Sequence, residues 1–294
     1  MIAAIQHDLG IELTSDGSEA DEAGSESVMG ANSPGADIAY LGATSGIQAK
    51  EQNALHAYKP KGSDAVKSEL KDAENYWHAV HSGTLGFFVN KEALRGKPVP
   101  LCWLDLLKSE YRGKVAYFDP SAATAGYVTA VAVNLAFGGP RNDFGAAIGF
   151  LRELGKNGAI VINDVSDAGI LSGDIAVLLD YDFNAYRAKY TQKGNFEFVL
   201  PCEGSVVFPF VMCLLNGAPH KNAAERVLDY LVSPKGQAVW TSAYARPVHP
   251  VALPPAIKSR FLPDSEYARA KSVDWTEMES YEKAFVDRYL AEAR

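Results

Sequence analysis

The chain has 294 residues, with 28 Lys plus Arg against 36 Asp plus Glu, a formal net charge of −8. Hydrophobic residues make up 47% and charged residues 22%, as in a packed protein, and the length suggests roughly two domains of 100–200 residues. A net negative surface repels phosphate backbones and argues against nucleic-acid binding; the longest apolar run, 206–215, falls far short of the ~20 residues that cross a bilayer.

In chain order, residues 3–9 read as the end of a helix and 10–14 as a short strand. The opening is too short and too polar for a secretory signal, so the protein is either cytosolic or begins upstream of this sequence. The small, acidic run 15–35 reads as a loop, or as a helix capped by Ser18 with Glu19, Asp21 and Glu22 in its first turn. Residues 36–41 form a buried strand that passes through Gly42-Ala43-Thr44-Ser45-Gly46 into a helix over 47–53. A strand, a Gly/Ser/Thr turn and a helix start together offer unpaired amides and hydroxyls to an anion.

Strands over 76–80 and 84–90 follow, joined by a turn at Ser82-Gly83, and then an amphipathic helix carrying Trp103, Leu104, Leu106 and Leu107. From 114 onward strands (114–118, 159–162, 174–180, 196–200) alternate with helices (to Phe137, 144–154, 167–171, and one after Tyr181-Asp182), which predicts a largely parallel sheet covered by helices. The apolar strand 206–215 is interrupted by Pro209 and is expected to be irregular or at an edge. Ala223, Val227 and Leu231 recur at four-residue steps in the next helix, and Ser233-Pro234 cap another. A last helix carries Tyr281, Phe285, Val286 and Tyr289. Cys102, Cys202 and Cys213 lack any CxxC spacing and sit in apolar surroundings, which predicts buried thiols without a disulfide or metal role. No HExxH pattern is present, so no metal or cofactor is expected.

Several stretches carry a resemblance in order. They are Pro34-Gly35-Ala36-Asp37-Ile38-Ala39-Tyr40, Gly83-Thr84-Leu85-Gly86-Phe87-Phe88-Val89-Asn90, and Trp103-Leu104-Asp105-Leu106-Leu107 with Tyr111-Arg112-Gly113-Lys114-Val115. Further on come 121–127, Glu203-Gly204-Ser205 and 230–237. With these the chain resembles the solute-binding proteins of bacterial ABC importers, in the group whose members bind ferric iron, polyamines, thiamine, and phosphonates or sugar phosphates. The family's signal peptide and first strand have no counterpart here. The resemblance implies an α/β, two-lobed type 2 periplasmic-binding-protein fold with interleaved lobes, 1–90 plus 206–294 and 91–205, and a central ligand cleft. It also implies capture by hinge closure, a small-molecule solute, a membrane permease as partner, a monomer, and a periplasmic location.

The residues themselves supply candidates at strand ends, where open α/β sheets bind ligands. Thr44, Ser45, Ser121 and Thr124 either cap their own helices or offer hydroxyls to an anion, with Gly126 and Tyr127 in the same turn. Asp180, Tyr181 and Asp182 either cap the next helix or attract an ammonium group or metal; one tyrosine between aspartates marks ferric iron down. Glu203 and Ser205 fall at a hinge crossing. Trp77, Tyr127 and Tyr181 are aromatic walls for a polyamine or core residues, and Arg246 is an anion clamp or a surface residue. An enzyme would need a GxSxG elbow, a P-loop or a catalytic dyad, and a regulator's effector domain would need a basic recognition helix; the sequence shows neither.

Overall fold

The computed structural model describes residues 1–14, 35–163, 166–249 and 251–294. The helix expected at Ser18, and Pro34 of the quoted motif, lie outside them. Among the described residues the strands are β1 (Ile38–Gly42), β2 (Leu55–His56), β3 (Trp77–Asn90), β4 (Val115–Phe118), β5 (Ile160–Ile162), β6 (Val177–Tyr181), β7 (Phe196–Val199), β8 (Ser205–Leu215) and β9 (Ala270–Lys271). Residues 11–14 are not a strand, contrary to expectation. No helix among the described residues is long and apolar enough to cross a membrane.

The chain forms two compact units, Met1–Ser82 with Pro209–Lys258 and Gly83–Phe208 with Ser259–Arg294. Two of the three divisions between them fall inside β3 and β8, and the third follows Lys258. The expected turn at Ser82-Gly83 is absent, and β3 runs through it as one strand of 14 residues. Gly83 is there for space: a Cβ would lie 2.8 Å from Phe183 Cε1 and 2.9 Å from Tyr181 Cδ1. The tail, assigned from sequence to the first lobe, packs in the second unit. Its helix Trp275–Glu292 buries Trp275, Met278, Phe285 and Tyr289. Trp275 meets Phe208 edge-on at 4.7 Å, and Phe285 lies 5.0 Å from Phe144. Its apolar stripe was legible, but a stripe does not name the surface it covers.

In the first unit, β1 pairs antiparallel with β8 from Ile38↔Leu214 to Gly42↔Phe210, and β2 extends that edge. Pairing with β1 begins just after Pro209, so its missing N–H removes no bond from that ladder. The helix Lys221–Val232 lays Ala224, Val227, Leu228 and Leu231 on Ile5, Val80, Met212 and Leu214. The Ser233 hydroxyl caps the helix Pro234–Ser242 through the Gly236 amide at 3.1 Å.

In the second unit, β4 is parallel to β5 and β6, whereas β3 runs antiparallel to β6 and β7. The sheet is therefore mixed, because β3 enters from the other unit and runs against the crossover strands. Gly86 lets β7 approach: a Cβ there would sit 2.5 Å from the Val199 carbonyl oxygen.

The cysteine expectation is corrected for two of three residues. Cys102 and Cys202 form a disulfide across 100 positions with a Cα–Cα distance of 4.8 Å, while Cys213 is a free, buried thiol. Sequence spacing cannot show this pairing, because the contact is made by tertiary structure.

Candidate functional site

In the first unit, β1 ends at Gly42 and the helix Ala43–Glu51 begins at once, earlier than expected. Thr44 and Ser45 therefore lie in its first turn, both buried, and no side chain caps that turn. Gly46 sets the helix tight on the sheet, since a Cβ would stand 2.8 Å from Val211 Cγ2 and 3.8 Å from Trp77 Cγ. Trp77 is thus packed in the core of this unit. Unlinked amides at a buried helix start favour an anionic or hydroxyl-bearing partner.

Near the same strands lies a feature the sequence reading missed. The His81 imidazole stacks on Phe210 (4.8 Å between ring centres) and meets Trp240 at a tilt (4.6 Å), and the Tyr40 hydroxyl is hydrogen-bonded to its Nε2. Burial pushes the His81 pKa down to about 3, and burial first, then Lys71, pushes His78 down to about 4. Only the aromatic character of 40, 81, 210 and 240 was visible in sequence, and nothing there showed that they stack.

In the second unit the loop after β4 is organised by Asp119. Its Oδ1 accepts the Ser121 amide (2.8 Å) and hydroxyl (2.7 Å), and its Oδ2 is 2.9 Å from Arg294 Nη1. The Ser121 donors are thereby engaged within the loop. Thr124 opens the helix Thr124–Ala136, which also has no side-chain cap. Gly126 admits the loop backbone, as a Cβ would fall 2.3 Å from the Phe118 carbonyl oxygen. Tyr127 is fully buried, in contact with Phe144 and Phe285, and its hydroxyl donates to the Met278 carbonyl.

At the end of β6 the two aspartates are also turned inward. Asp182 Oδ1 accepts the amides of Thr84 and Phe183, both at 3.0 Å, and Oδ2 accepts the Tyr267 hydroxyl at 2.9 Å. Asp180 accepts the Tyr181 amide (2.7 Å) and the Asn184 side-chain amide (2.9 Å), and burial pushes its pKa up to about 7. Tyr181 stacks on Phe183 and Phe208. Glu203 accepts the amides of Trp103 (2.8 Å) and Leu104 (3.5 Å), so it holds the 3-10 helix Trp103–Leu107. The Ser205 hydroxyl is buried without a hydrogen-bond partner among the described residues. Arg246 exchanges backbone hydrogen bonds with Ser82.

The candidates thus divide. Thr44, Ser45, Thr124 and Ser205 have geometry compatible with ligand contact. Tyr127, Asp182 and Glu203 have their polar atoms met by partners inside the fold.

The buried ionisable groups make acid and base limits testable with opposite signs. His81 and His78 have folded pKa values below the unfolded value near 6.5, so the stability they support is present above pH 6.5 and lost as pH falls toward 4 and 3. Asp180 has a folded value above its unfolded 3.8, so its contribution is greatest below 3.8 and is lost as pH rises through about 7. Urea titrations across pH 4–8 should show His81→Phe flattening the acid limb and Asp180→Asn gaining stability above pH 7. Parallel profiles for wild type and both variants would contradict these environments.

The model for bacterial extracellular solute-binding proteins matches residues 33–280. An uncharacterised protein of Haemophilus influenzae is 29% identical over 221 residues, covering 70% of this chain and 61% of that protein. A proposed 2-aminoethylphosphonate-binding periplasmic protein of Salmonella typhimurium is 27% identical over 180 residues, 58% of this chain and 50% of that protein. The chain therefore spans about half to three-fifths of these relatives' lengths. The periplasmic binding protein AfuA from Actinobacillus pleuropneumoniae, solved with fructose-6-phosphate, superposes with a TM-score of 0.73 at 22% identity, covering 92% of this chain and 88% of that one. That likeness shows the fold: the chain has the α/β, two-lobed type 2 periplasmic-binding-protein architecture.

Proposed function

We propose, from the premise that the chain belongs to the family of bacterial extracellular solute-binding proteins, that it is the solute-capturing subunit of an ABC-type importer and that its solute bears a phosphonate or phosphate group. The observation that carries the solute class is the match to relatives with a proposed 2-aminoethylphosphonate-binding role. The uncapped first turns of Ala43–Glu51 and Thr124–Ala136, with Thr44, Ser45 and Thr124, supply amides and hydroxyls suited to such a group. On this reading the protein works in the periplasm as a monomer, closes at a hinge on one solute per chain, turns nothing over, and delivers to a membrane permease. The Cys102–Cys202 bridge supports a location outside the reducing cytosol.

The test is calorimetric titration and thermal shift with 2-aminoethylphosphonate, fructose 6-phosphate, spermidine and ferric citrate. A phosphorus-bearing solute should raise the midpoint, by about 2.7 kcal/mol of stability at a hundredfold excess over Kd, and be recovered unchanged. Binding confined to spermidine or iron, or conversion of the solute, would overturn the reading.

A further inference from the structure

We propose that Arg294 is an anion-binding residue of the second unit, a guanidinium held by Asp119 to take the phosphonate or phosphate group of the solute. The inference rests on the solute class proposed above and adds a residue that neither the sequence reading nor the family motifs supplied. Asp119 follows β4 directly and is fully buried. Its side chain is 1% exposed while that of its partner Arg294 is 45% exposed, so the carboxylate anchors one edge of the guanidinium and leaves the rest to solvent.

Geometry decides what this loop can donate. The Ser121 amide and hydroxyl both point at Asp119 Oδ1, so neither is a free donor for a ligand. Arg294 Nη1 reaches Asp119 Oδ2 at 2.9 Å and the Ser121 hydroxyl oxygen at 3.5 Å. Nε and Nη2 of Arg294 have no hydrogen bond among the described residues. A planar guanidinium with donors still available matches two oxygens of a tetrahedral anion, which a lysine ammonium cannot do in the same way. Three further observations favour the arrangement. The helix beginning at Thr124 has no side-chain cap, so no side chain of the fold meets its positive end. The hydrogen bond of 3.2 Å between the Tyr289 and Tyr117 hydroxyls ties the helix Trp275–Glu292, which ends two residues before Arg294, to β4, which ends one residue before Asp119. Among the described residues no second carboxylate is paired with Arg294.

The experiment uses the full chain and two probes, inorganic phosphate and 2-aminoethylphosphonate, by calorimetry. Arg294→Gln should weaken both probes about 10- to 100-fold, with Arg294→Lys between it and wild type. Arg288→Gln, in the helix Trp275–Glu292 just before Arg294, removes a charge paired with Asp143 and Glu292 and should leave the binding of both probes unchanged. Because Arg294→Gln alone strands a buried carboxylate, the double variant Asp119→Asn/Arg294→Gln is measured too and should show the same loss. If 2-aminoethylphosphonate binds wild type and both Arg294→Gln variants alike, the Arg294 assignment falls while the solute class stands. If only phosphate binds and is lost with Arg294, the assignment stands and the aminophosphonate falls. If neither probe binds wild type, both fall.

Discussion

Reducing the Cys102–Cys202 bridge, or replacing both residues with serine, is expected to destabilise the second unit by about 4–5 kcal/mol. The reason is the separation of 100 positions between the linked residues, which makes the loop removed from the unfolded ensemble a large one. The midpoint of thermal unfolding should drop by on the order of 10 °C. The bond does not act alone. The Cys202 amide donates to the Leu101 carbonyl at 2.9 Å, the Trp103 indole donates to the Gly204 carbonyl at 2.9 Å, and Glu203 takes the Trp103 amide. These contacts pre-align the two segments, so the native bridge sits where the fold would hold the thiols anyway. Thiol counting should find none reactive in the folded, oxidised protein and one, Cys213, after denaturation. An unchanged midpoint in a sample shown to carry three free thiols would refute the staple.

The second large effect is expected at Asp182. Asp182→Ala should cost about 3–5 kcal/mol, because it leaves the Thr84 amide and the Tyr267 hydroxyl without their shared acceptor in a dry interior. Asp182→Asn, which keeps one carbonyl oxygen, should cost clearly less. Tyr267 continues the network to the Tyr186 hydroxyl at 2.8 Å, and that hydroxyl accepts the Leu262 amide at 3.1 Å, so Tyr267→Phe should partly reproduce the loss. Denaturant midpoints for the three variants check the order. Should Asp182→Ala unfold like wild type yet fail to bind solute, Asp182 would be a ligand residue after all.

These two sites also show what could be read from sequence. Hydrophobic spacing located the helices Lys221–Val232 and Gly145–Lys156 and the core strands, because burial imposes a period that composition records. The resemblance identified the family, since its motifs are spread in order along the chain. The destinations of polar side chains were not legible. Asp180 and Asp182 look alike in sequence, and both read equally well as helix caps or cation ligands. Only three-dimensional neighbours set them apart: Asp182 meets Thr84 and Tyr267, and Asp180 meets Asn184. Likewise Ser121 reads as a donor until Asp119, two residues before it, is seen to occupy both of its hydrogens. Arg294 and Cys202 lie far in sequence from the partners that give them meaning.

The order in which the pieces of each unit occur along the chain has a consequence for biosynthesis. The first unit must wait for Pro209–Lys258 and the second for Ser259–Arg294 before either has all its parts. A ribosome therefore releases nearly the entire polypeptide before any unit can complete its core, and non-local contacts of this kind form slowly. Such late completion keeps the nascent chain pliable, the condition a translocation channel requires of its cargo.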